Sequence, residues 1–223
     1  MAAQNTIGEA QRARLQHQLE QGVEALGVRL DTGQTEALLD YVALLTRWNH
    51  AYNLTAVRAP EDMVTRHLLD ALAVSPHIAH TGRMADVGSG PGIPGIMLAI
   101  AHPQLQLTMI DSNLKMTRFA AQAVRTLGLE NASVTRTRVE AAAFDPFEQI
   151  ISRAFAELGR YINLVSGLLA PTGRIWAMKG QWRESEAKTI PAGFEIVQNS
   201  LLDVPGLDAQ RRLIEIQPNR GQA

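Results

Sequence analysis

Two kinds of hydrophobic spacing divide the chain. Over the first 80 residues the apolar positions recur at three- and four-residue steps: Leu38, Val42, Leu45 and Trp48 in one stretch, Met63, Val64, His67, Leu68, Ala71 and Leu72 in another. That period puts them on one face of amphipathic helices, so this part is expected to be helical and docked on something else. From Met84 onward short apolar runs take over: Met84–Gly88, Leu105–Asp111, Ala132–Thr137, Glu148–Ala154, Gly173–Gly180, Phe194–Asn199 and Arg212–Gln217. Helix-sized segments separate the earlier runs, which predicts βαβ units and a mainly parallel sheet. The last two runs have only the segment LLDVPGLDAQ between them, and an antiparallel hairpin at the end of the sheet is expected. The architecture read this way is α/β: a seven-stranded, mostly parallel, Rossmann-like sheet with a C-terminal antiparallel hairpin. Residues 1–80 form an N-terminal helical extension packed on a main domain at 81–223, and Thr81–Arg83 reads as a turn rather than a hinge.

Against that background one stretch stands out, DVGSGPGIPG from Asp86 to Gly95, which follows the first predicted strand. Ligands of doubly wound folds sit just beyond the carboxyl ends of the strands. Gly88 and Gly90 are able to take positive φ and to let a ligand approach the backbone. Asp111 closes the next strand 23 residues after Gly88, where a carboxylate accepts both hydroxyls of a ribose. A glycine turn that only makes a tight corner would leave this acid unexplained. A dinucleotide fingerprint needs its third glycine at position 93, which is Ile93, and Pro91 removes an N–H that a pyrophosphate would use. S-adenosylmethionine (SAM) has no phosphate to cradle, and Asp86 at the strand end would put a negative charge near its sulfonium. The reading is a SAM-dependent methyltransferase fold.

Composition narrows the class of protein. With 46% hydrophobic residues in 223, the chain is able to bury a sizeable core. Twenty-one basic against 22 acidic residues, a formal charge of -1, exclude coating of nucleic acid by bulk electrostatics. The absence of cysteine excludes disulfides, thiolate metal sites and a cysteine nucleophile, and points to a reducing compartment. The start MAAQNTIGEA is too polar for a secretory signal, and Ile93–Ala101 is too short for a membrane span. A cytoplasmic protein without a membrane partner, and a monomer, is the expectation.

The choice of methylated atom rests on what the chain lacks. Carbon 5 of a pyrimidine requires a cysteine for covalent activation. Exocyclic amines commonly go with an Asp/Asn-Pro-Pro-aromatic loop after the fourth strand, where this chain has ISRAF, Ile151 to Phe155. An in-plane lone pair such as guanine N7 needs no general base, only alignment with the methyl group. Arg153 has three open roles: reading guanine O6 and N7, holding the SAM carboxylate, or pairing with Glu157 one turn on. For RNA contact, Lys115, Arg118, Gln122 and Arg125 share one helix face and Arg136 and Arg138 follow, although a solvated face has the same pattern. Trp48, Tyr52 and Asn53 form a second candidate surface for an unstacked base, with core packing the competing role of Trp48. His67 and Asp70, three apart on a helix, lack a third ligand, and no metal is expected.

The segments Arg47–Leu72 (RWNHAYNLTAVRAPEDMVTRHLLDAL), Met84–Ile100, Ile110–Phe119 (IDSNLKMTRF), Arg138–Glu140, Ile151–Leu158 (ISRAFAEL) and Met178–Gly180 (MKG) together resemble, almost from end to end, the glucose-inhibited division protein B family of bacterial 16S rRNA guanine-N7 methyltransferases. The resemblance implies a SAM-dependent enzyme that methylates N7 of one guanine in the 530 loop of 16S rRNA, on the small ribosomal subunit or its assembly intermediate. It places cofactor contacts on Gly88, Ile93, Val139, Glu140 and Arg153, and matches Asp111 to the family's strand-end acid. Three functions stay in view: the rRNA enzyme, a SAM-dependent enzyme of a small molecule, and an RNA-binding assembly factor that keeps the pocket without turnover, with a dehydrogenase a distant fourth.

Overall fold

The computed structural model describes residues 7–141, 143–153 and 157–219. Two long helices open the chain, α1 (Glu9–Ala25) and α2 (Thr32–Tyr52). α2 starts at a reciprocal cap: Asp31 Oδ1 accepts from the Gln34 N–H at 2.8 Å, and Gln34 Oε1 accepts from the Asp31 N–H at 2.9 Å. It stops at Asn53, in the left-handed region at φ 48°. Leu38, Val42 and Leu45 are buried along it, as their spacing predicts.

The third helical stretch is not a uniform α-helix. A short α3 (Pro60–Met63) runs into a π-helical turn over Val64–Leu69 and then α4 (Asp70–Leu72). The wider turn breaks the 3.6-residue stripe, so Thr65, Leu69 and Asp70 are buried together with the predicted Met63, Val64, His67, Leu68, Ala71 and Leu72.

The sheet follows: β1 (Gly82–Val87), β2 (Leu105–Asp111), β3 (Ala132–Arg136), β4 (Phe147–Arg153), β5 (Leu169–Lys179), β6 (Phe194–Leu202) and β7 (Arg211–Pro218), in spatial order β3-β2-β1-β4-β5-β7-β6. β1 to β5 are parallel, and β7 inserts antiparallel between β5 and β6. Helices α5 (Gly95–Ala101), α6 (Leu114–Thr126), α7 (Leu158–Val165) and α8 (Glu184–Ala187) complete the fold. Strand order reverses between β1 and β4, so the switch point lies beyond Val87 and Arg153.

Two strand starts differ from the sequence reading. Thr81–Arg83 is not a turn throughout, because Gly82 and Arg83 already pair with Leu105 and Gln106, and the Arg83 guanidinium lies 5.0 Å over the Phe147 ring. β5 begins at Leu169, and the register irregularity opposite Phe147 and Gln149 absorbs the Pro171 and Gly173 that disguised its start.

Alternate residues of β1 face opposite ways. Met84 joins one apolar cluster that unites Leu15, Leu38, Leu68, Ile96 and Phe119, so the N-terminal helices share a core with one face of the sheet. Ala85 and Val87 join the other cluster with Phe147, Tyr161 and Ile162, under α7. No helix among the described residues is long and apolar enough to cross a membrane.

Candidate cofactor cleft and arginine cavity

The glycine loop leaves β1 with Gly88 at φ 73° and Gly90 at φ 54°. These are left-handed conformations that β-carbons disfavour. The Gly88 N–H donates to the Ile110 carbonyl at 2.8 Å, and the Gly90 N–H donates to Asp111 Oδ2 at 2.9 Å. Asp111 Oδ1 accepts from the Asn113 N–H at 2.8 Å. The two elements paired in the sequence by spacing are therefore fastened to each other, and a Cβ on Gly90 would meet nothing within 4 Å, so that side of the loop is open.

Every loop amide already has a partner. Ser89 N–H donates to the Ile110 carbonyl, Gly92 and Ile93 N–H both donate to the Ser89 carbonyl, and Gly95 N–H donates to Asp86 Oδ2 at 2.8 Å. Pro91 and Pro94 have none to give. A diphosphate would find no free amide donor here, which disfavours a dinucleotide, whereas SAM has no diphosphate to cradle and its single carboxylate can be met by side chains outside the loop.

Asp86 lies beneath the loop rather than on its surface. It points to the same side of β1 as Met84, is fully buried, and is held by the Gly95 amide. Burial pushes its carboxyl up to about 7, the Gly95 hydrogen bond pulls it down, the charge of Asp111 raises it and that of Arg153 lowers it. Gly95 allows this approach, since a Cβ there would stand 2.7 Å from Leu107 and Met109 carbons and 2.8 Å from Asp86 Oδ2. Tyr41 braces the loop from α2, donating its buried hydroxyl to the Pro91 carbonyl at 2.9 Å. Ile93 is buried and packs in the core below.

A cleft of about 410 Å³ opens over the ends of β1, β2 and the segment after β3, lined by Gly88, Asp111, Arg138, Val139, Glu140 and Leu164 among others. Four of the residues expected at the cofactor meet here. Arg138, which the sequence groups with the RNA-facing cations, lines the same cleft.

Arg153 lines a neighbouring cavity of about 650 Å³ over the ends of β4 and β5 and the start of β7. Its charge reaches Asp86 and Tyr41 beneath the glycine loop, although the two cavities share no lining residue among those described. Its ion-pair partner is Asp70, at 3.3 Å, and not Glu157. The fully buried Asp70 also receives Arg211 Nε at 2.8 Å. The sequence singled out Asp70 only as half of a metal pair. Its carboxylate is taken up by two guanidiniums, and its neighbour His67 shares a hydrogen bond with the Thr55 hydroxyl at 3.0 Å. Burial and the nearby Arg153 hold His67 down to about 4, so it is neutral. Phe155 lies outside the described residues.

The proposed RNA-facing side chains scatter. Lys115 donates to the Tyr52 and Asn53 carbonyls, at 3.0 and 3.2 Å, and so closes the end of α2. Asn53 Oδ1 accepts from Arg58, and Arg125 donates to Gln122. Arg118 and Arg136 are exposed. Trp48 packs on Phe119 and Tyr52 at 5.7 and 5.2 Å between ring centres.

Comparison with known proteins gives the family and the fold. The family described as GidB, rRNA small subunit methyltransferase G, matches residues 34–214. The ribosomal RNA small subunit methyltransferase G of Burkholderia thailandensis is 48% identical over 216 residues, covering 93% of this chain and 94% of that one. The protein of the same name from Burkholderia pseudomallei is 46% identical, covering 93% of each. Among solved structures, TrmN from Thermus thermophilus superposes with a TM-score of 0.54 at 18% identity, over 70% of this chain and 53% of that one. A SAM-dependent methyltransferase from Aquifex aeolicus gives 0.51 at 15% identity, over 67% and 90%. At those identities the structural likeness speaks for the fold alone.

Proposed function

The chain belongs to the GidB family, rRNA small subunit methyltransferase G, and from that premise we propose that it transfers a methyl group from SAM to N7 of one guanine in the 530 loop of 16S rRNA. The observation that carries the cofactor assignment is the loop in which every amide from Gly88 to Gly95 is already bonded, beside a cleft lined by Asp111 and Val139. When bound, SAM supplies an electrophilic methyl group on a sulfonium. Asp111 accepts the ribose hydroxyls, Val139 offers an apolar wall to the adenine, and Gly88 and Gly90 let the ligand lie against the backbone. Arg153 presents a planar fork of N–H donors, which suits guanine O6 and N7. Guanine N7 attacks through a lone pair in the ring plane, so the side chains orient and no base is required. A cytoplasmic site of action follows from that substrate.

The test is a titration of the purified protein with SAM and with NADH, beside transfer of labelled methyl to small subunits that lack N7 methylation. SAM binding without NADH binding, and label in the RNA, support the proposal. NADH binding, or SAM binding without label in RNA, contradicts it.

A further inference from the structure

The cavity around Arg153 carries more charge than its internal pairing uses. Four cations, Arg153, Lys179, Arg183 and Arg211, face two carboxylates, Asp70 and Glu186. Asp70 is shared by Arg153 and Arg211, and Glu186 is paired with Lys179. Arg183, exposed at the mouth, has no ion pair or side-chain hydrogen bond among the described residues. A guanidinium has five N–H donors, so sharing one carboxylate, with one further Arg211 bond to the Gln210 carbonyl, leaves donors of both Arg153 and Arg211 without a partner among the described residues. The remaining excess is positive and concentrated in one concavity of a chain whose formal net charge is -1.

We propose that this cavity is a phosphate subsite, in which Arg183, backed by Lys179 and Arg211, holds a backbone phosphate of the RNA strand beside the target guanine. The proposal rests on the rRNA-methyltransferase reading above. It gives a use to the Met178–Gly180 segment, for which the cofactor cleft has none. Lys179 ends β5 and Arg211 begins the antiparallel β7, so both emerge at the same sheet edge as Arg153 and Gly88. An anion bound there lies on the edge where the methyl group is transferred. The cofactor's own carboxylate is the competing anion; the exposure of Arg183, the cation of this cavity without an ion pair among the described residues, favours the RNA.

The experiment uses the full chain with unmethylated small subunits and compares wild type, Arg183→Gln and Arg183→Lys. Phosphate contacts release counterions, so each one lost reduces the slope of log affinity against log salt by about 0.7 to 0.9. Arg183→Gln is expected to raise KM for RNA about 3- to 10-fold, to lower the salt slope by about that one contact, and to leave SAM affinity unchanged. Arg183→Lys is expected to stay within about twofold of wild type, because a phosphate takes any cation whereas a base edge needs the fork. An unchanged salt slope, equal losses for Gln and Lys, or a parallel loss of SAM affinity would overturn the subsite while wild-type transfer stands. Absence of wild-type transfer to RNA would instead overturn the function on which it rests.

Discussion

Replacing Asp111 by Ala separates the two jobs its carboxylate has on this account. In the free protein it accepts two backbone N–H groups, from Gly90 at 2.9 Å and Asn113 at 2.8 Å, and each oxygen keeps a lone pair for a ribose hydroxyl. Hydrogen bonds to a charged group contribute about 1.5 to 3 kcal/mol each, less at a half-exposed site. Losing the loop bonds should therefore lower unfolding stability by about 1 to 3 kcal/mol. Losing the ribose acceptor should weaken SAM by about 10- to 100-fold, since 1.4 kcal/mol is tenfold. Calorimetric titration measures the second loss and chemical denaturation the first. A SAM analogue lacking one ribose hydroxyl tells them apart: it should bind wild type more weakly than SAM does, yet bind the variant as well as SAM does, because the missing partners are coupled. A variant whose SAM affinity stays within about twofold of wild type, or which discriminates the analogue as strongly, would refute the ribose assignment and leave Asp111 as a loop brace.

Other expectations follow from the second cavity and the buried histidine. If Arg153 orients the guanine, Arg153→Ala should cut transfer to RNA by about 100-fold or more while SAM affinity moves less than about threefold; parallel losses in both would put the arginine on the cofactor. His67 has a folded pKa near 4 against an ordinary 6.5, so the folded state favours the neutral ring and stability is lost as pH falls from about 6.5 towards 4. The stability gap between wild type and His67→Gln should accordingly shift against wild type by about 2 kcal/mol between pH 7.5 and pH 5, and a gap that does not move with pH would contradict the burial argument.

What was legible in the sequence is what local spacing encodes. The strands β2, β3 and β4 and the terminal hairpin follow from apolar runs, and the link between the glycine loop and Asp111 follows from their distance along the chain. Asp86 ends a strand, and on sequence grounds its charge is expected near the sulfonium. Its two-residue offset from buried Met84 was the available sign that it points under α5, but the close approach of the Gly95 amide is a tertiary fact. Lys115 fits a basic helix face by period, yet its ammonium closes α2 across more than 60 residues of chain. The ion-pair cluster of Asp70, Arg153 and Arg211 had no sequence signal: its members come from a helix after a π turn, a parallel strand and an antiparallel strand. Only the topology brings them together.

The central claim is the atom and the nucleotide. Small subunits lacking N7 methylation would be incubated with this protein and labelled SAM, then their RNA cleaved chemically at 7-methylguanosine and the break mapped along the 16S chain. One labelled site is expected, a guanine of the 530 loop, cleaved in proportion to the label incorporated. Label on another atom or nucleotide, or no label from a protein that binds SAM, would contradict it.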